Sequence, residues 1–145
     1  ALSSAASDVY KRQLLNHEVQ SALETVGLDP YVGFLHTDRP GRASLALDMM
    51  EELRAYLADR LVLSLINRKQ ISGKGFVEHG DNGIVMDEDI RKGVLLAWQK
   101  RKKETIIHPY LNESVPIGLI PYIQAMLLAR FLRNDLDNYP VFLMK

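Results

Sequence analysis

Apolar residues at Leu45, Leu47, Met49, Leu53, Leu57, Leu61 and Leu65 keep a helical period over some twenty positions. A stripe of that length needs other elements to cover it, so the chain must fold as packed helices rather than as an isolated segment. Ser44 reads as the N-cap of this helix, which is expected to run to about Arg68. The same logic marks an earlier helix through Leu14, Leu15, Val19, Ala22, Leu23 and Val26, with Gly27 as its stop. Asp87 is expected to cap a third, carried by Ile90, Val94, Leu95 and Trp98 and continuing to about Ile107, where His108-Pro109 breaks it. A last helix is marked by Ile117, Ile120, Ile123, Met126, Leu127, Phe131 and Leu132, its regular part placed after Pro121. Between the second and third helices, Phe76-Val77 and Ile84-Val85-Met86 flank an Asn-Gly turn. The fold class expected is mainly α, a multi-helix domain with one small β-hairpin near residues 71–86.

At 145 residues, nearly half of them apolar, the chain can bury the core of one domain. No apolar run approaches the roughly 20 residues of a membrane span, so no membrane partner is expected. The absence of cysteine removes thiolate metal sites and disulfides and agrees with a reducing, cytoplasmic setting. Eighteen basic residues balance eighteen acidic ones, which argues against a general polyanion binder. The balance hides segregation. Residues 91–103 hold Arg91, Lys92, Lys100, Arg101, Lys102 and Lys103 with no acid, whereas 48–52 is DMMEE. Residues 1–13, ALSSAASDVYKRQ, are small and polar without a sustained apolar period. They read as non-native, a translated adapter or cloning scar, which leaves 14–145 as the helical domain.

The chemistry concentrates in GFLHTDRPGRASLALDMMEEL, residues 33–53. Asp48 and Glu51 stand three apart and share a face of their helix. Two such carboxylates repel unless a cation or basic group lies between them. Mn²⁺ or Mg²⁺ takes oxygen ligands, and manganese also accepts an imidazole, which His36 in the preceding loop can supply. Arg39 and Arg42 in that loop could meet phosphate oxygens. The alternative is a surface histidine beside two solvated acids, and spacing alone does not separate the two.

The motifs GLDPYVGFLH, SLALDMMEELR and ADRLVLSLINRKQI stand in an order and spacing that resembles the C-terminal domain of the CRISPR adaptation integrase, CRISPR-associated protein one. FVEHGDNGIVMDEDIRKGVLLAW and HPYL also fit, closest to the subtype I-C branch, and the resemblance runs from about Leu14 to the C-terminus. It implies a metal-dependent DNA endonuclease/integrase, cytoplasmic in a prokaryote, that inserts captured protospacer DNA at a CRISPR repeat. It also implies CRISPR-associated protein two as a partner and a homodimer. The family's metal ligands would fall on His36 and Glu51, with Asp48 alongside, holding Mn²⁺ or Mg²⁺ as cofactor. Glu51 stands where aspartate is the commoner choice. The remaining family ligand, a glutamate on a helix upstream, has no counterpart here, and neither Glu18 nor Glu24 matches it. A truncated product with an incomplete site, inactive by itself, is therefore expected.

Given the resemblance, the run Lys100, Arg101, Lys102, Lys103 becomes a candidate contact to the DNA backbone, and Arg68 reads as either an acid's partner or a DNA contact. His17, His79 and His108 read as ordinary partly exposed or loop histidines, and Trp98 as core. The glycines at 73, 75, 80 and 83 form no phosphate-loop pattern. The competing function class is a non-catalytic helical module that associates through apolar surface.

Overall fold

The computed structural model describes the backbone of residues 2–32, 44–61, 76–79, 83–86 and 88–144, with side chains at 9–32, 44–61 and 88–144. Helix α1 spans Leu2–Thr25 and α2 spans Ser44–Leu53. Strands β1 (Phe76–His79) and β2 (Gly83–Met86) pair antiparallel, with Phe76 opposite Met86 and His79 opposite Gly83. Helix α3 follows over Glu88–Lys102. A second antiparallel pair, β3 (Thr105–Ile107) and β4 (Ser114–Pro116), leads through a 3₁₀ turn at Ile117–Leu119 into α4 (Ile120–Leu132). The fold is mainly α, with the expected hairpin inside the anticipated span.

Helix α1 is the central element, packing against α2 and α4 and lying alongside β1 and β2. Its stripe of Leu15, Val19, Ala22 and Leu23 is buried, as the sequence pattern demands. At its end Gly27 sits at φ +84°, Leu28 N–H reaches back to Leu23 O (2.9 Å), and Gly27 N–H bonds Glu24 O (3.1 Å). This is a left-handed Schellman-type closure. A Cβ at Gly27 would meet nothing within 4 Å, so only the backbone conformation disfavours a side chain there. Gly27→Ala is expected to lower stability by about 1–2 kcal/mol, read as a shifted urea midpoint with an unchanged slope. Helix α4 closes in the same way. Asn134 takes φ +63° and Asp135 N–H bonds Arg130 O at 2.9 Å.

Four expectations are corrected. Helix α1 starts at Leu2, not Leu14, and Lys11 is buried against Asp59 at 2.8 Å while Tyr10 packs on the core. The second helix does not run on regularly. After Leu53 it changes to a π-helical turn over Arg54–Asp59, and Leu65 and Arg68 lie outside the described residues. Helix α3 ends at Lys102 rather than near Ile107, because the β-branched run Thr105–Ile107 pairs with β4. The hairpin near 71–86 is thus not alone: a second one exists, its connection passing through Asn112 at φ +57°. Asp87, expected as a cap, lies outside the described residues.

The apolar core joins α1, α2, α3 and α4 through Leu15, Leu23, Leu53, Val94, Trp98 and Leu127. Among the described residues, no helix is long and apolar enough to cross a membrane.

Candidate metal centre

Helix α2 opens with Ser44, fully buried, and the carbonyl of Pro30 accepts from Leu45 N–H (2.8 Å) and Ala46 N–H (3.2 Å). Two first-turn donors that lack intrahelical acceptors are thereby satisfied by a residue fifteen and sixteen positions earlier. Ala46, Met49, Met50 and Leu53 face the core. A helix that turns about 100° per residue then directs Glu51 away from that stripe and leaves Glu52 at its flank. Glu51 is exposed and, among the described residues, meets Arg54 one turn on at 3.5 Å. Asp48, one turn earlier, is half-buried.

Two oxygen donors on one helical face, one of them weakly engaged, suit a hard divalent cation. A cation could displace the loose Arg54 contact at little cost. Among the described residues, no three of His, Asp and Glu converge on one point. The third candidate donor, His36, lies outside the described residues, as do Arg39, Arg42 and Arg68.

The basic cluster at the end of α3 divides into two. Lys100 and Lys103 are exposed. Lys102 Nζ instead bonds Glu18 Oε1 at 2.7 Å. Arg101 is tucked in, its Nη2 donating to Tyr56 O (3.3 Å), its Nη1 near Glu104 (3.5 Å) and its guanidinium over the Tyr56 ring.

Sequence reasoning missed the polar network behind α2. The Glu52 carboxylate accepts from Tyr139 Oη–H (2.8 Å to Oε2), from Gln124 Nε2–H (2.9 Å to Oε1) and from the backbone N–H of Phe142. Gln124, fully buried, also donates to Pro140 O (3.1 Å) and accepts from His108 Nε2–H at 2.8 Å. His108 Nδ1 accepts from Tyr110 N–H and Leu111 N–H, both at 3.2 Å, which fixes the ring proton on Nε2. The expectation of an ordinary loop histidine is corrected here: His108 is fully buried and satisfied at both nitrogens. His17 is exposed, as anticipated, and Trp98 is core. A glutamine in the middle of IPYIQAMLLARF was the available signal, since a polar side chain in an apolar stripe needs buried partners.

Burial, reinforced by the adjacent Glu52 carboxylate, holds the Tyr139 phenol far above the ordinary tyrosine value. Its folded-state pKa is raised, so its stabilising contribution is complete below pH ~10 and is lost as pH rises beyond it. There the unfolded chain sheds the phenolic proton while the folded one retains it. Stability is expected to fall by an extra ~1.4 kcal/mol per pH unit above pH ~10. In Tyr139→Phe that component vanishes, which urea melts across pH 9–11 measure.

Comparison with known proteins decides the family. The model for "CRISPR associated protein Cas1" matches residues 9–100. The chain belongs to the Cas1 family. The match takes in all of α2 and begins upstream of Leu14. The chain is 58% identical over 132 residues to a Cas1 relative from Rhodospirillum rubrum named a CRISPR-associated endonuclease, covering 91% of this chain and 38% of that protein. It therefore spans little more than a third of that relative's length. A solved Cas1 protein from Thermotoga maritima superimposes with a TM-score of 0.81 at 27% identity, over 89% of this chain and 39% of that one. A casposase bound to integration product shares the fold, with a TM-score of 0.82 at 24% identity over 92% and 38% of the two chains.

Proposed function

We propose that this chain is the acid-bearing helical part of a metal-dependent DNA endonuclease/integrase of CRISPR spacer acquisition. The observation that carries this reading is the Asp48–Glu51 pair, one turn apart on α2 and inside the Cas1-family match. The endonuclease name of the R. rubrum relative supports DNA cleavage as the chemistry. The motif wording around GLDPYVGFLH supports the subtype I-C branch.

In this reading His36 and Glu51 hold Mn²⁺ or Mg²⁺, and Asp48 stands beside them to balance charge. The cation, when bound, stabilises negative charge on the phosphate under attack. Protospacer and CRISPR-repeat DNA are the substrates. Arg39, Arg42, Arg68, Lys100 and Lys103 meet the backbone, whereas Arg101 and Lys102 first have to leave Glu104 and Glu18. The working form is a prokaryotic cytoplasmic homodimer with CRISPR-associated protein two.

The test is a Mn²⁺ titration followed by EPR. Saturable binding is expected in the parent chain, with His36→Ala and Glu51→Ala each weakening it at least ~100-fold. Binding that survives both substitutions would reject the site.

A second reading, a non-catalytic interaction module, is favoured by the exposed apolar side chains Leu96 and Leu143, 71% and 73% accessible. Sedimentation separates the two. A compact monomer that binds Mn²⁺ sets the module reading aside.

A further inference from the structure

Glu52 follows the candidate metal ligand Glu51 directly, yet its carboxylate turns to the other side of α2 and is used up by the chain's last segment. Three donors reach it from Tyr139, Gln124 and Phe142, residues 72 to 90 positions downstream. The Phe142 ring is buried, packing edge-on against Tyr56 and tilted against His108, so the segment is anchored by packing as well as by polar contacts. Gln124 ties the same carboxylate to α4, and through His108 to the β3–β4 connection.

A helix held only by apolar side chains can roll, because dispersion contacts have no direction. A carboxylate with three aimed donors cannot follow that roll without breaking bonds. With a helix radius of about 5–6 Å including side chains, a roll of ~20° would carry an acid on the far face about 2 Å. Metal coordination and strand-transfer geometry tolerate much less than that. The arrangement is therefore suited to setting the orientation of α2, and with it the direction of Asp48 and Glu51.

We propose that Glu52 is a positioning residue: clamped by the terminal segment, it fixes the roll of α2 so that Asp48 and Glu51 meet the cation together. This rests on the functional reading above, and the test separates the two. Mn²⁺ affinity is measured by EPR on the parent chain and on Glu52→Gln, Tyr139→Phe and Gly27→Ala, at a temperature where circular dichroism shows all four folded. Glu52→Gln also removes a negative charge near the cation, so it weakens binding partly by Coulomb attraction alone. Tyr139→Phe keeps that charge and removes the one donor that reaches both carboxylate oxygens, leaving those of Gln124 and Phe142 in place. It is therefore the decisive variant.

Gly27→Ala, which loosens the end of α1 and touches no part of α2, reports the effect of general destabilisation. The expected result is a Kd raised ~10-fold in Glu52→Gln and at least ~5-fold in Tyr139→Phe, with Gly27→Ala unchanged. Parent-like affinity in Tyr139→Phe, or an equal loss in Gly27→Ala, overturns the positioning role while leaving the metal site standing. Absence of Mn²⁺ binding in the parent overturns the functional reading and this proposal with it.

Discussion

Glu52→Leu is expected to lower stability by about 3–5 kcal/mol, the larger part from donors left without an acceptor. Leucine is close to glutamate in size, so packing changes little. The Tyr139 hydroxyl and the Phe142 N–H lose their common partner in a half-buried place, whereas the Gln124 amide keeps Tyr139 Oη and Pro140 O. Each stranded donor costs about 1–3 kcal/mol, and the two are not additive because the terminal segment can lift off and find water. For a chain of this size the loss corresponds to a Tm lower by ~10–20 °C. Calorimetry reads it directly, and a change of less than about 2 °C would show that the segment leaves at no cost. A double-mutant cycle with His108→Leu adds a sharper check. The two sites are bridged by Gln124, so the second substitution should cost at least ~1 kcal/mol less once the first is made.

Trp98→Ala is expected to cost about 3–5 kcal/mol, for a different reason. Trp98 is 3% exposed, and its Nε1 lies 3.5 Å from Glu18 Oε1, at the limit of a hydrogen bond. The ring's buried area therefore outweighs the polar contact. Glu18 keeps its Lys102 partner after the substitution and is not stranded. Trp98→Phe, which keeps most of the aromatic volume, should cost less than half as much. Both are measured by urea unfolding followed by circular dichroism, because Trp98 is the sole tryptophan and its fluorescence goes with it.

The elements that local chemistry determines were legible in the residues. The α1 stripe, its closure at Gly27, the β1–β2 hairpin and the proline in the first turn of α4 each depend on neighbours a few positions apart. What stayed hidden depends on distant ones. Glu51 and Glu52 are identical and adjacent, and the pattern of α2 places the second at the flank of the apolar stripe. Only the fold brings Gln124, Tyr139 and Phe142 to it.

His108 reads as a loop residue before a proline, yet the loop folds over it to bond Nδ1 while Gln124 of α4 takes Nε2. The helical propensity of KRKKE extends past Lys102, and the β3–β4 pairing that stops it is likewise a contact between separate segments. Of the candidate site, the two acids on α2 were visible as a pair. The split of the basic cluster into exposed and ion-paired members was not, because Glu18 lies 84 positions from Lys102.

The carbonyl of Pro30, shared by Leu45 and Ala46, has a consequence for the histidine between them. It draws the two ends of the intervening segment to one point, leaving His36 only six positions from that point. In the proposed site, a tether that short corresponds to an effective concentration on the order of millimolar. An imidazole free in solution at that concentration would already compete with water for a divalent cation. For the proposed site, joining the ends offsets part of the entropic cost of bringing His36 to Glu51 before any cation arrives. It also lets the sequence between Pro30 and Leu45 change in length at a cost of only about 0.6 kcal/mol per doubling.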